Sequence, residues 1–463
     1  MPARQPLSPP VACERSINAR RVISWRSAFI LSLGGALLVT VSLGPMAAEI
    51  GVASLLVWGV TVLIGTVQCL LLAELAGRFP AKVGGAPAYI YEGFKSRSPL
   101  FGAAAAWGYW VAWIPGVAVN LTLAATYIRA AFLPQVNVLV PTLLLAIGLY
   151  ALNTLGLRPG VWFSGVMAAC ALLPLLIILI APFFHPGMWQ PGNLAPLLPE
   201  NLSWFALGTW ALLVKWAFVA VWSSYDAEMV TSVVGELRDP RREVRGAVAA
   251  TSAATALAFV LVPLALLGIV GIEGLSKDPY VAFLTAAAAV FGVAGGQIVA
   301  IMLIGALVLG AEMFIISSSR ALYQMSKDGL TLQGYGRRNR NGVPVGSVGW
   351  DAAITVFLLA VFRGDIVSVV AAANVGYLVV FTLLPPAYIL IRRRNEPTQG
   401  VHLAAPFVPI AALLGLFNGV LLIVGGIQWG PGVAGVGALL TLTFLPFYLF
   451  RRCRTRPMIV AAP

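Results

Sequence analysis

Long apolar segments separated by short polar connections make up almost the whole chain. A segment of about 20 predominantly apolar residues is long enough to cross the hydrocarbon core of a bilayer as a helix. Twelve segments approach or exceed this length, at 28–50, 52–76, 101–128, 138–157, 161–183, 204–232, 246–272, 290–324, 348–362, 366–390, 406–427 and 431–450. The pattern therefore predicts an all-α integral membrane protein with about twelve transmembrane helices.

The first and the sixth of these segments contain polar, helix-breaking sequence deep inside the apolar run. The interruptions lie at 40–45 (Thr-Val-Ser-Leu-Gly-Pro) and at 222–228 (Trp-Ser-Ser-Tyr-Asp-Ala-Glu). A broken helix persists at membrane depth only where protein or an aqueous cavity satisfies the freed backbone groups. Matched breaks in two halves of a chain are typical of secondary transporters, which bind a solute near the midplane between inverted repeats.

The order of the segments predicts how the chain is organised. Five spans are followed by five more and then by two, and each set of five opens with a broken span. This order favours a five-plus-five inverted repeat with two extra C-terminal helices. We expect a disordered cytoplasmic tail at 1–26 and a transmembrane domain at 27–450. That domain contains the first repeat (27–185), the second repeat (200–392) and two peripheral helices (404–450). A second cytoplasmic tail follows at 451–463.

Two finer expectations follow for the backbone. The first and sixth spans should be unwound near Gly44 and near Ser223 to Tyr225, and should cross at mid-depth. The segment 84–91 is too polar to span the membrane, and 278–289 has the corresponding place in the second half. We expect 84–91 to form a helix at the cytoplasmic face and 278–289 to form its external counterpart.

Composition and charge place the chain in a membrane and orient it. Of 463 residues, 59% are hydrophobic and 10% are charged, which is too little polar surface for a soluble globule of this length. With the N-terminus in the cytoplasm, all but four of the 30 Lys and Arg residues fall in cytoplasmic segments, the four being Arg129, Lys277, Arg363 and Lys215. This asymmetry is the positive-inside rule. It places both termini in the cytoplasm, assigns the multi-pass protein to the cytoplasmic membrane, and explains the net charge of +13 without nucleic acid.

Cysteine and histidine are too few and too dispersed to build a reactive centre. Cys13 and Cys453 lie in the tails, and Cys69 and Cys170 lie in spans. The two histidines, at 185 and 402, fall in loops on opposite sides of the membrane. We therefore expect no metal site, no cofactor and no enzymatic activity.

The first break has the residues to bind a carboxylate. If the helix unwinds around Ser42 to Gly44, free amides at the start of the next half-helix face the cavity, and such an N-terminus attracts anions. The hydroxyl of Ser42 and the backbone of Leu43 and Gly44 are the predicted contacts for an amino acid's α-carboxylate. The alternative is a proline kink that serves packing alone.

The second break has the residues to bind an ammonium group. Carbonyls exposed around Trp222, Ser223, Ser224 and Tyr225 would accept its hydrogen bonds, and the Trp222 ring would add a cation–π face. Intramembrane carboxylates are costly and by default functional. The candidates for ammonium contact or proton coupling are Glu49, Asp226 and Glu228. Of these, Glu228 is the first candidate for the proton carrier.

Alternatives remain open for these acids. Asp226 suits the N-terminus of the second half-helix, where it would act only as a cap. Glu49 or Glu228 would be structural if it were fixed in an ion pair with Lys215 or Arg129. Lys215 itself lies deep inside the sixth span and needs a partner that the sequence does not name.

Polar residues in the third and eighth spans are further candidates. Asn120 shares a helical face with Val117 and with tryptophans at 107, 110 and 113. It is a possible substrate contact, although such an aromatic stripe more often serves packing. Ser317 and Ser318 could complete a sodium site with first-span carbonyls, or could bond to their own helix.

Four local signatures, taken in order, resemble the amino acid–polyamine–organocation (APC) superfamily permeases. They lie at 73–80 (Ala-Glu-Leu-Ala-Gly-Arg-Phe-Pro), at 84–91 with its two tyrosines, at 235–242 (Gly-Glu-Leu-Arg-Asp-Pro-Arg-Arg) and at 319–330 (Ser-Arg-Ala-Leu-Tyr-Gln-Met-Ser-Lys-Asp-Gly-Leu). The resemblance covers nearly the whole transmembrane region. It implies a leucine-transporter-like fold that works by alternating access without ATP.

Branches of the superfamily differ in the residues they share with this chain. The run 42–45 with Glu49 is similar to the polyamine-uptake branch, but the two carboxylates of that branch fall at Val119 and Phe314. Trp222 with Glu228 is similar to arginine–agmatine exchangers, where an aromatic residue occludes the substrate, and Phe314 takes the place of their eighth-span aromatic. The lysine of some proton-coupled members falls at Ala171.

Together these features predict a secondary active transporter that moves a small amino acid or organic amine across the cytoplasmic membrane by alternating access, coupled to protons. Its expected partners are this substrate, a proton or counter-substrate, and the lipid bilayer. A polyamine or amino acid/amine exchanger is the alternative within transport. From another class, a non-transporting solute sensor would share the fold but would be expected to carry a large soluble output domain.

Overall fold

A computed structural model of the chain describes residues 24–32, 38–79, 85–155, 161–225, 228–232, 237–394, 398 and 401–455. Within this part of the chain the regular elements are helices. In the first half they are α1 (Trp25–Ser32), α2 (Val39–Ile50), α3 (Ser54–Arg78), α4 (Gly85–Phe94), α5 (Leu100–Trp113), α6 (Pro115–Ala131), α7 (Leu139–Thr154) and α8 (Val161–Phe184). Most of the tail 1–26 lies outside the described residues, and its disorder stays a prediction.

The second half repeats the alternation of long helices and short connections. Its helices are α9 (Leu207–Ser224), α10 (Met229–Ser232), α11 (Pro240–Ala256), α12 (Val262–Lys277), α13 (Ala282–Lys327), α14 (Val345–Phe362) and α15 (Ile366–Arg392). The C-terminal helices are α16 (Phe407–Val420), α17 (Gly426–Gln428), α18 (Gly430–Leu442) and α19 (Phe444–Thr455). Helix α19 therefore continues a few residues past the predicted end of the transmembrane domain at 450.

The described helices are those of a multi-pass membrane protein. Nine helical stretches of the described residues are long and apolar enough to cross a bilayer, and two shorter apolar helices lie at Leu139–Thr154 and Leu172–Phe184. One of the nine, Val39–Arg78, contains parts of the first two predicted spans. The all-helical class is confirmed, while the count of twelve spans and the inverted repeat stay predictions.

The predicted unwinding near Gly44 is wrong. Helix α2 runs without interruption through Ser42, Leu43, Gly44 and Pro45. Proline removes only one backbone donor, so a helix continues through it when tertiary packing supports the turn. Gly44 serves a different purpose, because a Cβ at this position would overlap the Pro279 carbonyl group. It allows the connection after α12 to lie directly on α2.

The predicted break in the sixth span begins only at Tyr225, since Ser223 and Ser224 are still helical. Helix α9 ends at Ser224, Tyr225 has φ −84° and ψ 9°, and α10 begins at Met229. The next residue, Asp226, lies outside the described residues. Helices α2 and α9 lie beside each other, as expected for the first and sixth spans.

Two short helices occupy the two polar segments. Helix α4 covers most of 84–91, and the first part of α13 is separated from the rest at Gly292, where φ is +71°. Glycine is favoured at such a positive φ because it has no Cβ. Each short helix follows a long span of its half, an arrangement that favours the repeat.

Close helix packing holds the centre of the bundle together. Helices α5 and α15 cross at Gly108 and Gly376, where a Cβ on Gly376 would lie 2.6 Å from the Gly108 carbonyl oxygen. Small residues at helix crossings allow such backbone approach in membranes. Helix α15 also contacts α4, α6, α9, α16 and α18, so the tenth span organises the centre of the fold.

Candidate substrate site

A cluster of buried aromatic side chains lies where the broken sixth span meets the third, eighth and tenth spans. The Trp113 ring stacks on Phe314 at 5.3 Å between ring centroids, and it meets Tyr377 edge-on at 5.9 Å. The Trp222 ring is 6.5 Å from Trp113 and 6.4 Å from Phe314. We call these four residues the aromatic cluster. It brings Trp222 and Phe314, two of the predicted site residues, to one place.

Local sequence fixes the position of each ring. Trp113 is the last residue of α5, and Pro115 starts α6 in the first turn, where a missing N–H costs no hydrogen bond. Trp222 lies in the last turn of α9, and its indole N–H donates to the Ala112 carbonyl at 2.9 Å. Gly116 lies against Phe314 so closely that a Cβ there would be 2.9 Å from the ring.

One polar group in the cluster is left without a partner. Within the described residues, the buried indole N–H of Trp113 makes no hydrogen bond. Buried donors are normally paired, and an unpaired one is expensive in an apolar environment. A bound ligand with an acceptor group would satisfy it.

The continuous helix changes the expected carboxylate contacts. Ser42, Leu43 and Gly44 lie inside α2 and are buried, so their amides fall beyond the first helical turn. Helix α2 contacts α9, α13 and α15, which carry three members of the aromatic cluster.

The end of α9 packs tightly against other spans. Ser223 donates its hydroxyl to the Ala220 carbonyl of its own helix at 3.2 Å. The Ser224 carbonyl oxygen lies over Gly65 of α3. Tyr225 donates to Asn418 at 3.0 Å, and its ring meets Phe381 at 5.0 Å. The Tyr225 side chain is thus committed to the peripheral helix α16, a role that its sequence position did not reveal.

Glu228 is connected to the aromatic cluster through one tyrosine. Its side chain is completely buried, and its Oε1 atom accepts a 3.0 Å hydrogen bond from the Tyr109 hydroxyl. The Tyr109 ring meets Trp113 edge-on at 5.6 Å. Glu228, the first candidate for the proton carrier, therefore lies at the border of the cluster, on the far side of the break.

Glu49 has a different environment. Lys215 Nζ lies 2.8 Å from both of its carboxylate oxygens, and the Trp216 indole N–H donates to Oε2 at 2.8 Å. The ammonium group also lies 4.9 Å from the Trp429 ring centroid. Glu49 therefore forms an ion pair with Lys215, which was one of the two alternatives left open by the sequence. Arg129 instead faces Asp278, whose pKa is raised by burial and partly lowered again by the Arg129 charge.

The remaining candidates are engaged in helix packing. Asn120 donates to the Gly116 carbonyl of its own helix at 2.9 Å and packs against Gly310 of α13. Ser318 lies 2.7 Å from a carboxylate oxygen of Asp351, while Ser317 is half-buried. These contacts favour the packing alternative for Asn120 and assign Ser318 to an acid rather than to a sodium ion.

Sequence reasoning missed two buried carboxylates in the spans. Asp351 of α14 is bound by Trp110 and Ser318, and Glu312 of α13 accepts a 2.6 Å hydrogen bond from Asn153 of α7. The signal was available, because an acid inside an apolar segment is by itself notable. It was overlooked because neither acid lies at a predicted break.

Comparison with known proteins assigns the family. Residues 23–450 match the sequence profile described as amino acid permease. The chain belongs to the amino acid permease family. It is similar to the amino-acid permease RocE of Bacillus subtilis, with 26% identity over 434 residues that cover 87% of this chain and 89% of RocE.

Two permeases of Lactococcus lactis are also similar. The lysine-specific permease LysP is 22% identical over 82% of this chain and 79% of its own length. The branched-chain amino acid permease BcaP is 23% identical over 79% of this chain and 82% of its own length. The family confirms the APC superfamily resemblance. The protein is a membrane transporter of this family and not an enzyme.

Proposed function

We propose that the protein is a secondary active transporter that carries a small amino acid or organic amine across the cytoplasmic membrane by alternating access. The observation that carries this proposal is the aromatic cluster at the broken sixth span, with an unpartnered indole N–H at its centre and Glu228 at its border. The relatives named for amino acids support the substrate class.

Each end of the substrate has a matching surface in this proposal. The ammonium group lies against the face of Trp222 and near the carbonyls that end α9, since aromatic faces and free carbonyls both favour a cation. The carboxylate accepts from the Trp113 indole N–H, a buried donor that otherwise makes no hydrogen bond within the described residues. Rings of Phe314 and Tyr377 pack against the remainder of the substrate.

Protons drive transport in this proposal, and Glu228 carries the transported proton. A buried carboxylate bound by a neutral hydroxyl gains or loses a proton when a moving cavity changes its hydration. Glu49 is assigned a structural role instead, because its carboxylate forms an ion pair with Lys215. Both termini lie in the cytoplasm, as the distribution of Lys and Arg predicts.

Transport by purified protein in liposomes tests the proposal. Uptake of a panel of labelled amino acids and amines is measured with and without an inward proton gradient. We expect at least one amino acid or amine to accumulate, and other amines and amino acids to compete with it. Trp222→Ala should abolish uptake, whereas Trp58→Ala, a similarly buried tryptophan that pairs with Phe259 outside the cluster, should lower stability without removing uptake by the folded protein.

Two results would contradict the proposal. Displacement of the bound substrate by a glucose analogue or by phosphate, with no effect of amines or amino acids, would exclude the substrate class. Accumulation that is the same with and without the gradient would exclude proton coupling and leave exchange with a counter-substrate.

A further inference from the structure

Asp351 is a buried acid in the middle of a membrane span that the proposed transport cycle does not yet use. Its side chain has no solvent exposure, and it lies two turns into α14. Trp110 of α5 donates its indole N–H to Oδ1 at 2.8 Å, and Ser318 of α13 lies 2.7 Å from Oδ2. The carboxyl group thus joins three spans through two neutral partners.

No positive charge balances this group within the described part of the chain. The ion pairs found there involve other acids, namely Glu74, Glu92, Glu49 and Asp239. An ionised carboxylate held by neutral donors alone is costly inside a membrane. The neutral acid avoids that cost.

Titratable groups on the neighbouring elements face elsewhere or are neutral. On α7, the Tyr150 hydroxyl bonds Thr355, one turn along α14 from Asp351. In the 3₁₀ turn Gln333–Gly336, the Tyr335 ring packs at a tilt against Trp350, with 5.9 Å between ring centroids. On α13, Glu312 faces Asn153 of α7.

The two other helices packed against α14 bring no charge to Asp351. Tyr127 and Arg129 of α6 lie near Asp278, close to the opposite end of the bundle. Tyr377 of α15 belongs to the aromatic cluster. Asp351 is therefore the acid at the point where α5, α13 and α14 meet, which we call the junction. Tyr150 is the titratable group that lies beside it.

The geometry accommodates both protonation states of Asp351. Ser318 Oγ lies 2.7 Å from Asp351 Oδ2 and 3.3 Å from the Ile315 carbonyl oxygen. A hydroxyl has one proton to donate and can accept as well. When Asp351 is ionised, Ser318 donates to it. When Asp351 is protonated, it donates to Ser318, which then donates to Ile315.

The junction lies one helical turn from the substrate site. Trp110 precedes Trp113 by one turn of α5, and Ser318 follows Phe314 by one turn of α13. Both steps lead toward the end of the bundle where the Arg-rich connections lie. Trp110 and Ser318, which bind Asp351, thus belong to the same two helices as Trp113 and Phe314, the stacked pair of the aromatic cluster.

We propose that Asp351 is a proton-binding site separate from Glu228, and that its proton holds α14 against α5 and α13 on the cytoplasmic side of the aromatic cluster. This inference rests on the proposed transport function. Loss of the proton leaves a charge that two neutral donors alone do not balance, so water enters and α14 separates from the other two helices. Asp351 acts as a positioning residue that makes the rate of the cycle depend on cytoplasmic pH, without carrying the transported proton.

Asp351→Asn is the informative variant. The asparagine oxygen accepts from Trp110 and its amide nitrogen donates to Ser318, so the variant reproduces the protonated form and should fold. Substrate counterflow is measured at equal pH on both sides, across a series from mildly acidic to mildly alkaline. We expect the wild-type rate to change several-fold across the series and the Asp351→Asn rate to stay constant.

A matched variant separates this proton from others. Glu312→Gln removes another buried carboxylate, on helix α13, which also carries Ser318, and should keep the wild-type pH profile. A wild-type profile in Asp351→Asn, or an equal flattening in Glu312→Gln, would overturn the proposal.

Infrared difference spectroscopy gives a readout that needs no transport. The carbonyl stretching band of protonated carboxylic acids should be present in the wild type, should lose intensity as pH rises, and should be weaker in Asp351→Asn by the contribution of one acid. If the band is weaker in Asp351→Asn but the wild type carries no amino acid or amine, the proposed function fails and the proton site stands. If transport is observed and the band is unchanged in Asp351→Asn, the proton site fails and the proposed function stands.

Discussion

Glu49 of α2 and Lys215 of α9 form an ion pair that joins the first and sixth spans, with Lys215 Nζ 2.8 Å from both carboxylate oxygens. Trp216 donates to the same carboxylate, and the Trp429 indole N–H donates to the Lys215 carbonyl at 3.0 Å. The pair therefore attaches the two helices to each other and to the peripheral helix that follows α17. It explains how a lysine is tolerated deep in an apolar segment.

Breaking this pair should cost stability, and removing both partners should cost less than the sum. Lys215→Met leaves the Glu49 charge without its cation, and Glu49→Gln leaves the Lys215 charge without its anion. Because the Glu49 side chain is 39% exposed, we expect a coupling energy of about 1 kcal/mol between the two sites. A double-mutant cycle of melting temperatures in detergent measures it, and additive effects of the two variants would show that the pair contributes nothing.

The size of the substrate should depend on Phe314. Phe314→Leu replaces a ring that stacks on both Trp113 and Trp222 with a smaller side chain, so the cluster gains space next to the substrate. We expect bulkier amino acids to compete better in the variant than in the wild type, measured as inhibition of labelled substrate uptake.

Phe259→Leu is the matched control for Phe314→Leu. Phe259 is also completely buried, but it pairs with Trp58 outside the cluster. This variant should lower stability and leave the order of competitors unchanged. The same change of order in both variants would show that Phe314 does not line the site.

Hydrophobic periodicity and length predicted much of the fold from sequence. The ninth and tenth spans were expected at 348–362 and 366–390, and α14 and α15 occupy Val345–Phe362 and Ile366–Arg392. The apolar requirement of the bilayer core is strong and local, so it is visible in single segments. The break after Ser224 was predictable for the same reason, since several polar residues interrupt an apolar run.

The errors arose where tertiary contacts decide the outcome. Pro45 resembled a helix break, but α2 continues through it, and Gly44 instead leaves room for Pro279, far away in sequence. The partner of Lys215 lies in another span, and so do the donors that hold Asp351. Pairings between distant residues depend on how helices cross, and a single sequence contains no direct record of the crossings.

The crossing of α5 and α15 should tolerate no added side chain. Gly376→Ala places a Cβ 2.6 Å from the Gly108 carbonyl oxygen, so the helices must separate. Overpacking of this kind costs about 1–3 kcal/mol, and we expect a lower melting temperature in detergent. Gly349→Ala is the control, because a Cβ there meets nothing within 4 Å. Equal melting temperatures of the wild type and Gly376→Ala would show that the crossing is not tight.

Glu228 should be the carboxylate on which proton coupling depends. It is buried beside the break in the sixth span and bound by Tyr109, which touches Trp113 of the aromatic cluster. Glu228→Gln keeps a group that accepts from the Tyr109 hydroxyl but cannot gain or lose a proton. We therefore expect the variant to bind substrate and to perform counterflow, while losing accumulation driven by an inward proton gradient.

Two controls make the Glu228 experiment decisive. Glu49→Gln changes a carboxylate that is fixed to Lys215, so it should lower stability and retain gradient-driven accumulation in the protein that remains folded. Tyr109→Phe removes the hydroxyl that binds Glu228 but leaves the acid in place, so accumulation should persist with a shifted dependence on pH. Normal accumulation by Glu228→Gln under the gradient would contradict the assignment, and loss of accumulation in Glu49→Gln alone would transfer the transported proton to Glu49.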